Sequence, residues 1–180
     1  MRFSRTVCCA MSLLCCSSFA MNADTPVTLS AELEPLRPYL GKTWRGVLSQ
    51  PGQPEMLDIS HWERALNGTA VKIRHSVNKG QYGGETMVFF DKKLKQLRYF
   101  YFTTAGFYTH GTMKFDEKNS TLAAEEQVEN NANGITRVRS TSKLSADTLQ
   151  VSSEYLKNGT WVTGHSATYT AAPDAKVEFN

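Results

Sequence analysis

Four histidines, His61, His75, His110 and His165, are the side chains in this sequence best suited to acid–base or metal chemistry. They are widely separated, with no His-x-His or His-x₃-His pair, so no preformed zinc site is predicted. Any joint chemistry would need distant segments to converge. All four cysteines (Cys8, Cys9, Cys15 and Cys16) lie in the first 23 residues. If that segment is removed, disulfides, thiolate metal sites and cysteine nucleophiles are excluded with it. Among the carboxylates, Glu125 and Glu126 are adjacent, so in a strand they point to opposite faces and cannot act as a pair. Asp58, Glu63 and Glu85 have no spacing that predicts a meeting with the histidines. The chain has no Gly-x-Ser-x-Gly turn and no phosphate-cradling glycine loop ahead of a helix. Catalysis is therefore not predicted, and an enzyme built on the same framework stands as the third reading.

Aromatic chemistry is more prominent. Phe89, Phe90, Tyr99, Phe100, Tyr101, Phe102, Phe107 and Tyr108 fall in three successive segments. Strand alternation sends about half of them to one side, enough to wall an apolar cavity with hydroxyls that orient a guest. The candidate ligand-binding residues are Phe89, Tyr99, Tyr101 and Phe107, with His75, His110 and Trp161. His75 shares a face with Val71, Ile73 and Val77, while His110 alternates with Tyr108 and Thr112. Simple alternation also places His165 with Trp161, Ala167 and Tyr169.

The elements that must position these residues begin after a leader. Arg2 and Arg5 precede an apolar run from Val7 to Leu14, followed by small residues, which predicts a signal peptide over 1–23 cleaved after residue 20 or 23. Leu13-Leu14-Cys15 weakly resembles a lipoprotein site, but Leu14 is too large for the position before the cysteine. The expected location is the periplasm or the exterior, with no stable membrane insertion. Removing Arg2 and Arg5 from 20 basic residues leaves 18 against 17 acidic ones, no footprint for nucleic acid. The expected partner is a small apolar molecule. Residues 24–180 read as one domain.

Within it, Ser30 is expected to cap a short helical turn bearing Leu33, Leu36 and Leu40, which Pro35 and Pro38 keep short. Ten strand-like segments follow, at about 42–49, 55–65, 70–77, 84–91, 94–104, 106–115, 121–129, 134–143, 147–156 and 160–170. Asn67-Gly68 and Asn158-Gly159 supply tight turns, and the Asn-Gly-Thr sequences there are turns entering strands, not glycan acceptors. The continuous run "LRYFYFTT" predicts a strand covered on both faces. Ten strands joined by short turns predict an all-β, antiparallel up-and-down barrel with an N-terminal helical plug. Closure removes the two edges that an open meander would expose, and the long crossovers of a sandwich are missing.

The stretch Leu40 to Gly46, with Trp44 just after the helical plug, resembles the opening signature of the lipocalin-like (calycin) superfamily, one residue longer between Gly41 and Trp44. It is more similar to nitrobindin-like ten-stranded barrels, through Leu40–Gly46, Trp62–Val71, and His165, Ala167 and Tyr169. The step from Trp62 to Val71 and the aromatic run from Asp91 to Tyr101 also resemble exported bacterial lipocalin-like domains of unknown function. The resemblance implies that Trp44, with Gly41 and Gly46, closes the barrel floor. It implies a late arginine over that Trp, for which Arg137 or Arg139 are candidates. In nitrobindin-like barrels a histidine on the last strand binds haem iron, and His165 is the matching position. Two functional expectations follow: an exported carrier of a small apolar or amphipathic ligand with no cofactor, or, as the alternative, a haem protein using His165.

Overall fold

The computed structural model describes residues 28–129 and 133–180. The expected leader, 1–23, lies outside the described residues. Among those described, no helix is long and apolar enough to cross a membrane.

The chain begins with a 3₁₀ helix, Ala31–Tyr39, that buries Leu33, Leu36 and Tyr39. Pro35 and Pro38 lack the N–H groups an α-helix would use, and a helix with three residues per turn aligns positions 33, 36 and 39. Tyr39 therefore takes the inward place expected of Leu40. The expected Ser30 cap does not form; the backbone N–H of Ser30 is instead donated to the Gly68 carbonyl at 2.8 Å.

Ten strands follow: β1 (Lys42–Leu48), β2 (Met56–Ala65), β3 (Ala70–Val77), β4 (Tyr82–Asp91), β5 (Gln96–Thr103), β6 (Tyr108–Asp116), β7 (Thr121–Gln127), β8 (Ile135–Ser145), β9 (Thr148–Lys157) and β10 (Thr160–Ala171). Each pairs antiparallel with its sequence neighbours, and β1 closes on β10 through Trp44–Ala171, Arg45–Thr170 and Gly46–Tyr169. The architecture is the all-β antiparallel barrel that the turn spacing predicts. Both Asn-Gly turns work as expected, with Asn67 and Asn158 at φ values of 54° and 50°. Gly41, at φ 67°, makes the left-handed step from helix into β1.

The turns sort the barrel into two ends. The helix and the turns at 66–69, 92–95, 117–120 and 146–147 lie at one end; the connections at 49–55, 78–81, 104–107 and 158–159, with 128–129 and 133–134, lie at the other. The first end is closed. Trp44, fully buried, belongs to one apolar cluster with Leu33, Leu36, Tyr39, Trp62, Val71 and Val88, and Tyr39 stacks on Trp62 at 4.9 Å between ring centroids. Trp44 is thus part of a packed floor.

Two local expectations are corrected. The run around Tyr99 is covered on one face only: Tyr99 is buried, but Phe102 is 54% exposed. In β10 the register shifts between Thr163 and Ser166, and this bulge separates Trp161 from the face of His165.

Candidate ligand-binding site

Above the floor the barrel holds a cavity of about 640 Å³. That lies within the roughly 300–1,000 Å³ usual for small-molecule sites. Its lower wall is apolar, formed by Trp62, Ile73, Met113, Leu122, Leu149 and Val151. Its upper wall combines apolar side chains, among them Leu48, Met56, Val77, Phe107 and Val138, with a belt of polar ones. Asp58, His75, Tyr82, Tyr101, Thr109, Glu126, Tyr155 and His165 all line it from the strand halves nearest the open end. No Lys or Arg lines the cavity among the described residues.

The polar groups form three linked sets. Asp58, only 2% exposed, accepts from Tyr169 Oη at 2.8 Å and pairs with His75 Nδ1 at 2.8 Å. His75 Nε2 lies 2.7 Å from Tyr101 Oη, which lies 3.1 Å from Tyr82 Oη. The Tyr101 hydroxyl donates to Tyr82. Burial pushes the Tyr101 and Tyr169 hydroxyls far above the usual phenol range, reinforced by Tyr82 beside the first and the Asp58 charge beside the second. Both stay protonated donors.

The second set surrounds Glu126. Its Oε2 accepts from Thr109 at 2.9 Å and from Tyr99 at 3.2 Å. Burial raises the Glu126 carboxyl above its ordinary 4.5, only partly offset by those two bonds. The folded state therefore holds this proton more tightly than the unfolded chain does. The Glu126 contribution favours folding most at or below about pH 4.5 and is lost as pH rises through the raised folded value. Thermal melts of the wild type and Glu126→Gln across that window should diverge with rising pH, the variant melting higher at neutrality. Parallel profiles would reject this account of Glu126.

His165 anchors the third set. Ser153 Oγ donates to the His165 carbonyl at 3.0 Å and lies 3.1 Å from Nδ1. Tyr155 Oη lies closer to Nδ1, at 2.7 Å. In the tautomer with the ring hydrogen on Nδ1, Ser153 and Tyr155 accept it, and Nε2 carries a lone pair with no protein partner among the described residues. Burial lowers the His165 pKa, with a smaller opposing effect from Asp58, and this keeps the ring neutral.

Of the residues singled out by sequence, Tyr99, Tyr101, Phe107, His75 and His165 lie in the cavity wall. Phe89, His110 and Trp161 do not. Strand parity turns Phe90, not Phe89, toward the core, and Thr109 and Gly111 turn inward on either side of His110. Phe89 and His110 instead flank Phe100 on the outer surface, at 6.3 and 5.9 Å between ring centroids. Trp161 lies beneath the Arg139 guanidinium, 4.2 Å from its ring centroid. The arginine stack that resemblance placed over Trp44 is thus made on Trp161; Trp44 has Lys42 nearby, with its ammonium 5.4 Å from the ring centroid. Gly46 is not in the floor: it pairs with Asp58 and Tyr169 and gives clearance there, because a Cβ would sit 2.7 Å from the Tyr169 ring.

Sequence reasoning missed Asp58, Glu126, Tyr82, Tyr155 and Tyr169 as site residues. A signal existed: Asp58 alternates with Met56, Ser60 and Trp62, and Glu126 with Leu122, Ala124 and Val128, charges on otherwise inward faces.

Fold and site together describe a closed ten-stranded antiparallel barrel with an internal cavity. The chain is similar in structure to Rv2717c from M. tuberculosis, with a TM-score of 0.63 at 12% sequence identity, over 81% of this chain and 99% of that one. At that identity the likeness concerns the fold. No protein-family model matches the sequence, and no curated protein matches it.

Proposed function

We propose that this is an exported binding protein, periplasmic or secreted, that carries a small amphipathic molecule inside its barrel. The observation that supports it is one largely apolar cavity crossed by a belt of polar groups above its floor. A ligand's apolar body fits against Trp62, Leu122 and Leu149. Its polar end meets hydroxyls and carboxylates whose geometry is set by hydrogen bonds before the ligand arrives, which lowers the ordering cost of binding. Native mass spectrometry of protein recovered from the periplasm should show one additional small mass per chain. Bare protein that also fails to bind medium-chain amphiphiles in calorimetry rejects the reading.

A second reading is favoured by His165. Its neutral ring is fixed at Nδ1 by Ser153 and Tyr155, and in the Nδ1–H tautomer Nε2 presents a lone pair, the arrangement of a histidine oriented for a metal. In a nitrobindin-like haem protein, His165 Nε2 would hold the iron, with Tyr155 and Ser153 fixing the ring. Haem bound there would supply a redox-active iron able to take a small ligand. Titration with ferric haem should then give a Soret band that His165→Ala abolishes; absence of the band in the wild type rejects this reading and leaves the first intact.

A further inference from the structure

We propose that the cavity selects amphiphiles whose head is a primary ammonium group, with Glu126 as the counter-ion. This rests on the reading of the barrel as a small-molecule carrier and specifies its ligand class. The two carboxylates of the cavity are not equivalent. Asp58 has both oxygens occupied, Oδ1 by His75 and Oδ2 by Tyr169. Glu126 uses only Oε2, which takes both of its hydrogen bonds, from the neutral Thr109 and Tyr99. Its Oε1 has no protein partner among the described residues, and no Lys or Arg shares the cavity wall.

The neighbouring Arg137 does not compensate, because it pairs with Glu125, which strand alternation turns to the outer face. An ionised carboxylate in a largely apolar chamber without a cation is costly, and a ligand cation removes that cost while gaining a charge-assisted hydrogen bond. The surroundings suit a cation in a second way. Tyr82, Tyr99, Tyr101, Tyr155 and Tyr169 line the same cavity, giving hydroxyl oxygens that accept from N–H and ring faces that attract positive charge. The depth below is apolar, so the alkyl body of an amine has a place to go. A carboxylate head has the opposite fate, since it would meet Glu126 with no Lys or Arg in the cavity wall, among the described residues, to offset the repulsion.

The test is calorimetric titration of the purified protein with decylamine, decanol and decanoate, each kept below its aggregation limit. Decylamine should bind about tenfold or more tightly than decanol, the usual scale for a hydrogen bond to a buried charge, with decanoate weakest. Glu126→Gln should bring the decylamine-to-decanol affinity ratio to about one, with circular dichroism and a thermal melt showing that the variant is folded. Equal binding of decylamine and decanol by the wild type overturns the ammonium assignment, as does a decylamine advantage that survives Glu126→Gln or a preference for decanoate. In each of those outcomes the carrier reading stands. Failure of all three probes to bind overturns both.

Discussion

Trp44→Ala is expected to lower stability by about 3–5 kcal/mol, the usual loss on truncating a fully buried large aromatic. Small domains have total margins of only about 5–15 kcal/mol, so the variant should be mostly unfolded under mild denaturing conditions. Trp44 has no exposed surface and shares its cluster with the three side chains that the N-terminal helix buries. Removing the indole therefore loosens the helix from the barrel as well as opening a void. Trp161→Ala serves as the matched comparison. Its ring lies outside the barrel beneath Arg139, where a cation–π contact is worth roughly 0.5–1 kcal/mol. Trp44→Phe should fall between them, and closer to wild type than lost volume alone suggests. Trp44 Nε1 is buried without a hydrogen-bond partner, and phenylalanine has no N–H to leave unsatisfied. Urea denaturation followed by circular dichroism measures all three. Equal losses for Trp44→Ala and Trp161→Ala would show that the floor is not where the barrel's stability is concentrated.

The difference between these two tryptophans marks how far the sequence can be read. Strand number and order were legible because each strand ends at residues with a reason to turn, such as Asn67-Gly68 and Asn158-Gly159. Up-and-down order follows once the turns are short. The helical plug was legible too, although its period was not: Pro35 and Pro38 signal brevity, and only the structure shows that they impose three residues per turn. Facing is harder, because it depends on unbroken alternation and on an anchor for its phase. His75 was placed correctly among Ile73 and Val77, where nothing interrupts the strand. Trp161 was not, because a bulge between Thr163 and Ser166 changes the parity within β10. Phe89 and Phe90 show the phase problem in its simplest form, since two adjacent phenylalanines give no hint which is inside.

The polar belt was least legible for a different reason. Its members come from eight strands, and a sequence does not show that Asp58, His75, Tyr101 and Tyr169 converge. Inward charges on apolar faces were nevertheless visible, and in a barrel such a charge has the interior as its only destination. Asp58 and Glu126 were detectable in that limited sense, as residues in need of partners.

Gly46→Ala is the substitution expected to damage that belt most from the least chemical change. Gly46 pairs directly with Tyr169, whose ring lies across the glycine and carries its hydroxyl to Asp58 at 2.8 Å. An added Cβ would come within 2.7 Å of Cδ1 and 2.9 Å of Cγ, the rigid root of the ring, so the tyrosine must move. Overpacking of this kind costs about 1–3 kcal/mol. Loss of the bond to a buried carboxylate adds about 1.5–3 kcal/mol, because Asp58 then keeps His75 alone. The same relation recurs where Tyr101 lies against Gly84 and Tyr155 against Gly164, with would-be Cβ contacts of 2.5 and 2.8 Å. The barrel thus brings large polar rings to its upper cavity by leaving side chains out of the strands beneath them. If clearance is the reason for Gly46, its penalty depends on the ring. In a double-mutant cycle, Gly46→Ala should cost several kcal/mol beside Tyr169 and about 1 kcal/mol or less beside Tyr169→Leu. Chemical denaturation of the four proteins gives the coupling directly. Additive losses would mean that Gly46 is needed for its backbone alone, and that the placement of Tyr169 over Asp58 owes nothing to it.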